Sequence, residues 1–204
     1  VDKTLRLSAP GMSELDLPLF QTEGISQMVE IWGDRCEALE ADKHSESWIS
    51  DYLGVKCKFV FMPDSSNRQV DQQYAIGNNK VAFSDGFPLL LISESSLNDL
   101  NNRITEEITV KRFRPNLILK NTPPYQEDNW KAIRIGECEL QIVKPCSRCV
   151  LTTVDPQTGV FSGREPLKTL AKYRKINGEV LFGQNLIPRS SGKIEIGMKV
   201  EILN

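Results

Sequence analysis

Apolar residues recur at two spacings along this chain, and the spacing of two dominates. Thr4-Leu5-Arg6-Leu7 alternates until Ala9-Pro10-Gly11 breaks it, and Met28-Val29-Glu30-Ile31-Trp32 repeats the pattern up to Gly33-Asp34. Helical spacing takes over from Asp42 to Leu53, where Trp48, Ile49, Tyr52 and Leu53 share a face and Gly54 is placed to stop the helix. Cys57 to Met62 resumes as an apolar strand ended by Pro63. Residues 64–79 are polar, with Asp64, Ser65, Ser66, Asn67, Gln72, Gln73, Gly77 and Asn78, which predicts a flexible loop. This is the softest boundary in the chain, so residues 1–62 and 63–204 read as separate domains.

From Lys80 the pattern tightens: Val81-Ala82-Phe83, an Asp85-Gly86-Phe87 turn, then Pro88 to Ile92 as a buried apolar strand. Ser93 caps a helix through Arg103 that puts Leu97, Leu100 and Ile104 on one face, a packing helix. Lys111-Arg112-Phe113-Arg114 then runs into Pro115-Asn116-Leu117-Ile118-Leu119. Alternation puts Arg112 and Arg114 on one face of a strand, with Pro115 holding Arg114 extended. Two guanidiniums suit an anion, best a phosphate, with Asn116 as a further pocket group; the competing reading is a solvated basic edge strand. Trp130–Ile135 and Cys138–Val143 form a hairpin about Gly136-Glu137. Pro166 to Lys175 is a short helix with Leu167, Leu170 and Tyr173 inward and four basic residues outward. In the strand Phe182–Ile187, Gln184 and Asn185 suit either a heterocycle or ladder roles. Lys193–Ile196 and Lys199–Leu203 read as a closing hairpin. The pattern as a whole predicts a mostly β, barrel-like domain with three or four peripheral helices.

The chain has 204 residues, a formal charge of −2 and 40% hydrophobic content, enough for one large or two small domains. Near-neutral charge argues against a whole-surface nucleic-acid binder. No apolar run approaches the ~18 residues of a membrane span, no signal peptide opens the chain, and five cysteines are an odd number for a disulfide framework. The expected compartment is the reducing cytoplasm. Val1 is expected to stand partway through an element, as in a piece of something longer.

Chemistry concentrates between two prolines, in Lys144-Pro145-Cys146-Ser147-Arg148-Cys149-Val150-Leu151-Thr152-Thr153-Val154-Asp155-Pro156. A Cys-x-x-Cys pair reads as a dithiol redox site, half of a zinc site, or a place where one thiolate binds something else. A thioredoxin-type pair opens a helix, whereas the residues here are β-branched almost throughout, so the stretch is expected to enter a strand. Zinc ligands are in thin supply: Cys36, Cys57 and Cys138 are isolated, and His44 is the sole histidine. Two buried core cysteines remain the plainest alternative, which leaves Arg148 and Ser147 unexplained. Alternation puts Ser147 and Cys149 on one face and Arg148 and Val150 on the other, with Arg148 favouring the thiolate and Cys146 packing at the start of the strand.

The run KPCSRCVLTTVDPQTG, the upstream RFRPNLIL, and the downstream EPLKTLAKYR and FGQNLI resemble the MOSC domain of YcbX-type bacterial proteins and the mitochondrial amidoxime-reducing component. The resemblance covers nearly the whole chain. It implies a MOSC-type β-barrel over 63–204, with 1–62 the remainder of an N-terminal β-rich domain whose cofactor-contacting Lys-Ser pair is missing here. It implies a bound molybdenum cofactor (molybdopterin) whose metal is held by the pterin dithiolene and by Cys149. The cofactor-binding positions expected are then Arg112, Arg114, Asn116, Ser147, Arg148, Asp85, Phe87, Gln184 and Asn185. The implied activity is reduction of hydroxylamines, amidoximes and N-hydroxylated bases. Electrons would come from a ferredoxin-type or flavin reductase donor, any iron–sulfur cluster lying on a separate domain or partner. A second reading is a non-catalytic cofactor carrier, akin to the C-terminal domain of molybdenum cofactor sulfurases.

Overall fold

The structure, a computed structural model, describes residues 3–203; Val1, read as standing partway through an element, lies outside them. The chain divides into two compact units, Val1–Gln69 with Lys80–Asp85, and Val70–Asn79 with Gly86–Asn204.

In the first unit β1 (Thr4–Leu7) pairs antiparallel with β2 (Leu15–Pro18). The hairpin of β3 (Ser26–Ile31) and β4 (Asp34–Glu40) turns at Trp32-Gly33, both in the left-handed region. Helix α1 (Lys43–Leu53) begins and ends where the spacing places it: the Asp42 carboxylate accepts the Ser45 N–H at 2.7 Å, and Gly54 terminates the helix at φ 66°. Trp48 packs on Leu15 and Leu17. The strand expected over Cys57–Met62 shrinks to β5 (Val60–Phe61), because the Ser50 hydroxyl ties both Cys57 N–H and C=O back to the helix. The 64–79 segment has no helix or named strand, yet Ser66, Arg68 and Val70 are buried. Arg68 explains this: its guanidinium donates to the carbonyls of Ala82, Ser84 and Asp85 and to the Asp34 carboxylate. The segment thus supplies a buried cation that fixes the path of 82–85, which a solvated loop would not do.

The second unit is built on one curled, half-barrel sheet, the mostly β fold the pattern predicts. In chain order its elements are β6 (Leu89–Ser93), α2 (Glu94–Asn101), β7 (Leu117–Leu119), β8 (Ala132–Ile135), β9 (Cys138–Ser147), α3 (Leu167–Tyr173), β10 (Lys175–Ile176), β11 (Glu179–Pro188) and β12 (Val200–Leu203). The strands lie in the order β12-β8-β9-β11-β6-β7, with β10 beside β11. β11 is the spine, paired with β9 on one side and β6 on the other. Its alternation blurs because both faces are covered. Leu186 joins Leu91, Ile133 and Leu140 in one core, and Phe182 joins Ile92, Leu100, Phe113 and Leu170 in the other.

Two expected strands are corrected. Lys193–Ile196 is not a strand: the chain turns back with Met198 N–H on Glu195 O, and Ile196 is fully exposed. The basic stretch does not alternate from Arg112. Val110–Arg112 is a 3-10 turn, Arg114 is left-handed at φ 54° instead of extended, and the strand starts at Leu117. The cause is Phe113, which is buried with its ring 4.4 Å from that of Phe182 and draws the chain inward between the two arginines. Among the described residues no helix is long and apolar enough to cross a membrane.

Candidate functional site

β9 carries the cysteine stretch out of the sheet instead of into it, a correction to the expected strand. Ser147 still faces Leu181 of β11, and Arg148 N–H still donates to Val180 O at 2.8 Å. Cys149 is extended (φ −107°, ψ 179°) and immediately precedes a 3-10 turn over Val150–Thr153. The threonines break the strand despite their β propensity, because their hydroxyls fold back on the preceding carbonyls. Thr152 Oγ1 donates to Cys149 O at 3.0 Å and Thr153 Oγ1 to Val150 O at 2.7 Å. Exposure alternates along the strand end: Cys146 half-buried, Ser147 exposed, Arg148 half-buried, Cys149 exposed. Val150, expected on the face opposite Cys149, is 57% exposed as Cys149 is exposed, since the turn has replaced the strand there.

Arg148 is held from three sides. Its Nε donates to Phe182 O at 2.8 Å, Nη1 to Phe113 O at 3.4 Å, and the guanidinium lies 5.3 Å from the Phe113 ring centroid. Room for it comes from Gly183, at φ +80°. A Cβ there would stand 2.7 Å from both Leu91 O and Ile92 Cγ1, and 3.3 Å from Arg148 Nη2.

Arg112 reaches the same loop from another element. Its Nη2 lies 3.6 Å from Asp155 Oδ2, while Nη1 is buried without a hydrogen-bond partner. Asp155 in turn accepts the N–H groups of Gln157 (2.8 Å) and Thr158 (3.0 Å), closing the loop beyond the turn. Those two N–H groups first, and Arg112 after them, hold its carboxyl below the usual carboxylate range. A group with a depressed folded-state pKa stabilises above its ordinary value of about 4 and loses that contribution as pH falls through the folded value. Comparing melting temperatures of Asp155→Asn and the unmodified protein is therefore expected to show a gap at neutral pH that closes in acid.

The remaining candidates are spread over the unit. Arg114 is exposed, and Asn116 spends its Oδ1 on Leu90 N–H while its own N–H donates to Leu90 O, extending the β6–β7 pairing. Gln184 is buried and donates to Asp128 Oδ1 at 2.6 Å; Arg174 holds the other carboxylate oxygen at 2.7 Å. Asn185 lies opposite Lys144 and Leu90. Phe87 packs edge-on against Tyr74, whose ring also receives the Lys144 ammonium at 5.4 Å. Asp85 belongs to the first unit, its carbonyl accepting from Arg68 Nη2 at 2.6 Å. Sequence reasoning missed Asp155, Phe113 and Gly183. Only Asp155 carried a signal, an Asp two residues before Gln-Thr-Gly.

Cys36, Cys57, Cys138 and Cys149 are free thiols, and among the described residues no three His, Cys, Asp or Glu side chains gather as a metal-holding group. A metal at Cys149 would thus need its other donors from a bound molecule. One exposed soft sulfur ligand, Cys149, and one buried cationic nitrogen with no hydrogen-bond partner, Arg112 Nη1, fit a metal-bearing anionic cofactor.

The chain belongs to the MOSC domain family, which matches residues 78–201. Mitochondrial amidoxime-reducing component 1 of Mus musculus is 36% identical over 216 residues, covering 99% of this chain and 63% of the relative. Its Homo sapiens counterpart is 37% identical over 213 residues, with 98% and 63% covered. The molybdenum cofactor sulfurase of Oryza sativa subsp. japonica is 34% identical over 187 residues, covering 83% of this chain and 23% of the relative. The chain spans less than two thirds of the length of the amidoxime-reducing relatives.

Proposed function

We propose that this chain is the cofactor-holding part of a molybdenum-dependent reductase of N-hydroxylated compounds: hydroxylamines, amidoximes and N-hydroxylated bases. The observation that carries the reading is Cys149, an exposed thiol at the end of a sheet strand, in a loop fastened by Arg112 and Asp155 and without companion ligands among the described residues. The relatives named as amidoxime-reducing components support it. When bound, the molybdenum cofactor supplies the two-electron centre at which the N–O bond breaks and oxygen leaves as water, with two electrons and two protons taken up. Cys149 presents the thiolate, while Arg112 and Arg114 bind the phosphate. Ser147 and Arg148, next to Cys149 in the chain, would flank the bound cofactor. The electrons come from a ferredoxin-type or flavin reductase donor, with any iron–sulfur cluster outside this chain, and the protein works in the cytoplasm.

The sulfurase relative favours a second reading, a non-catalytic cofactor carrier. Protein from a cofactor-competent host, given an aromatic amidoxime and chemically reduced methyl viologen, separates the two. The reductase reading expects molybdenum and amidine product together. Stoichiometric molybdenum with no amidine formed makes the chain a carrier.

A further inference from the structure

The turn that follows Cys149 is apolar and open. Leu151, Val160 and Phe161 are each more than 60% exposed. They lie close together because Asp155 N–H donates to Val160 O and Ser162 N–H to Thr153 O, folding 160–162 back along 153–155. Helix α3 packs against the same turn. Its outward residues Lys168 and Lys172, at i and i+4, stand on one face, and Arg164 lies one turn before them, its carbonyl accepting the Lys168 N–H. None of these three cations has a carboxylate partner among the described residues, although the chain as a whole is net negative. Glu165 is occupied, its Oε2 accepting the Thr169 N–H. Exposed apolar side chains with an aromatic ring, on a turn against which a helix carrying unpaired charge of one sign packs, are the ingredients of a protein-binding surface.

We infer that Leu151, Val160 and Phe161, rimmed by Arg164, Lys168 and Lys172, form the docking surface for an acidic one-electron carrier protein. The inference rests on the reductase reading, because reduction of an N-hydroxylated compound consumes two electrons per turnover that a donor has to deliver. The face sits where the chain leaves Cys149, so a partner seated on it comes close to the centre that needs the electrons. Like charges at i and i+4 weaken a helix and gain nothing within the chain, whereas an opposing acidic surface offsets them.

The test is calorimetric titration of the protein with a plant-type ferredoxin as the acidic probe, independent of turnover. Binding is expected to weaken at least about tenfold as salt rises from about 0.01 M to about 1 M and the screening length falls from about 30 Å to about 3 Å. Lys168→Glu combined with Lys172→Glu is expected to bind at least about tenfold more weakly at low salt, and Leu151→Ser to weaken binding without changing its salt slope. Reduction driven by methyl viologen is expected to be unchanged in the charge-reversed protein. A charge-reversed protein that binds ferredoxin as the unmodified one does overturns the inference. So does a dimer that falls apart on charge reversal, since the face then joins copies of this chain. Failure of methyl viologen to drive any reduction sinks the reductase reading instead, while the titration still decides the docking.

Discussion

Cys149→Ser is expected to give a folded protein that loses most of its molybdenum and at least a hundredfold of amidoxime reduction, whereas Cys146→Ser keeps most of both. Loss of outer-shell partners alone costs about 10–100-fold in metal affinity, so loss of the ligand itself is expected to cost no less. Serine keeps the shape but replaces a soft, polarizable thiolate with a hydroxyl that stays protonated at neutral pH. The fold survives because Cys149 is exposed and holds the turn through its backbone carbonyl, which accepts from Thr152. Cys146 is half-buried on the other side of the alternation, its Sγ 3.7 Å from Ser147 O, and a small hydroxyl fits there. Metal analysis, melting temperature and turnover of the two variants check this. Equal loss in both would instead point to a dithiol or zinc role for the pair.

Gly183→Ala is expected to destabilise the second unit by at least about 2 kcal/mol, enough to lower the melting temperature by roughly 5 °C, and to impair the site as well. Two costs add. The residue sits at φ +80°, where a Cβ is strained, and the new methyl would meet Leu91 O and Ile92 Cγ1 at 2.7 Å. Neither neighbour can move easily, since Leu91 and Ile92 belong to β6 and are fully buried. The flexible neighbour is Arg148, 3.3 Å away, so relief comes partly at the expense of the contacts holding its guanidinium on Phe182 O and Phe113 O. Thermal melting gives the first effect. A variant that melts with the unmodified protein would show that β11 relaxes at its register shift between Leu181 and Gln184.

Much of the fold was legible because local signals and tertiary structure agreed. Asp42 and Gly54 bracket α1, Ser93 caps α2, and Gly136-Glu137 turns β8 into β9. The misreadings arise where contacts that periodicity does not show, some long-range and some within one turn, overrode local propensity. Phe113 was read as one alternating position among several, and its burial against Phe182 broke the strand that was to align Arg112 and Arg114. The β-branched run after Cys149 reads as strand until its threonine hydroxyls find carbonyls. Arg68 looked like one more polar loop residue, and nothing in its neighbours shows that Asp34 and three carbonyls converge on it. At the site, Cys149 and the two arginines stood out by residue type alone. The Arg112–Asp155 fastening spans more than forty positions and was visible only in the fold.

X-ray absorption at the molybdenum edge, on protein from a cofactor-competent host, tests the central claim most directly. The account predicts molybdenum with a sulfur shell that includes one protein thiolate beyond the cofactor's own sulfurs, and any metal retained by Cys149→Ser showing one sulfur fewer. An unchanged sulfur shell in that variant, or zinc in place of molybdenum in the unmodified protein, would contradict it.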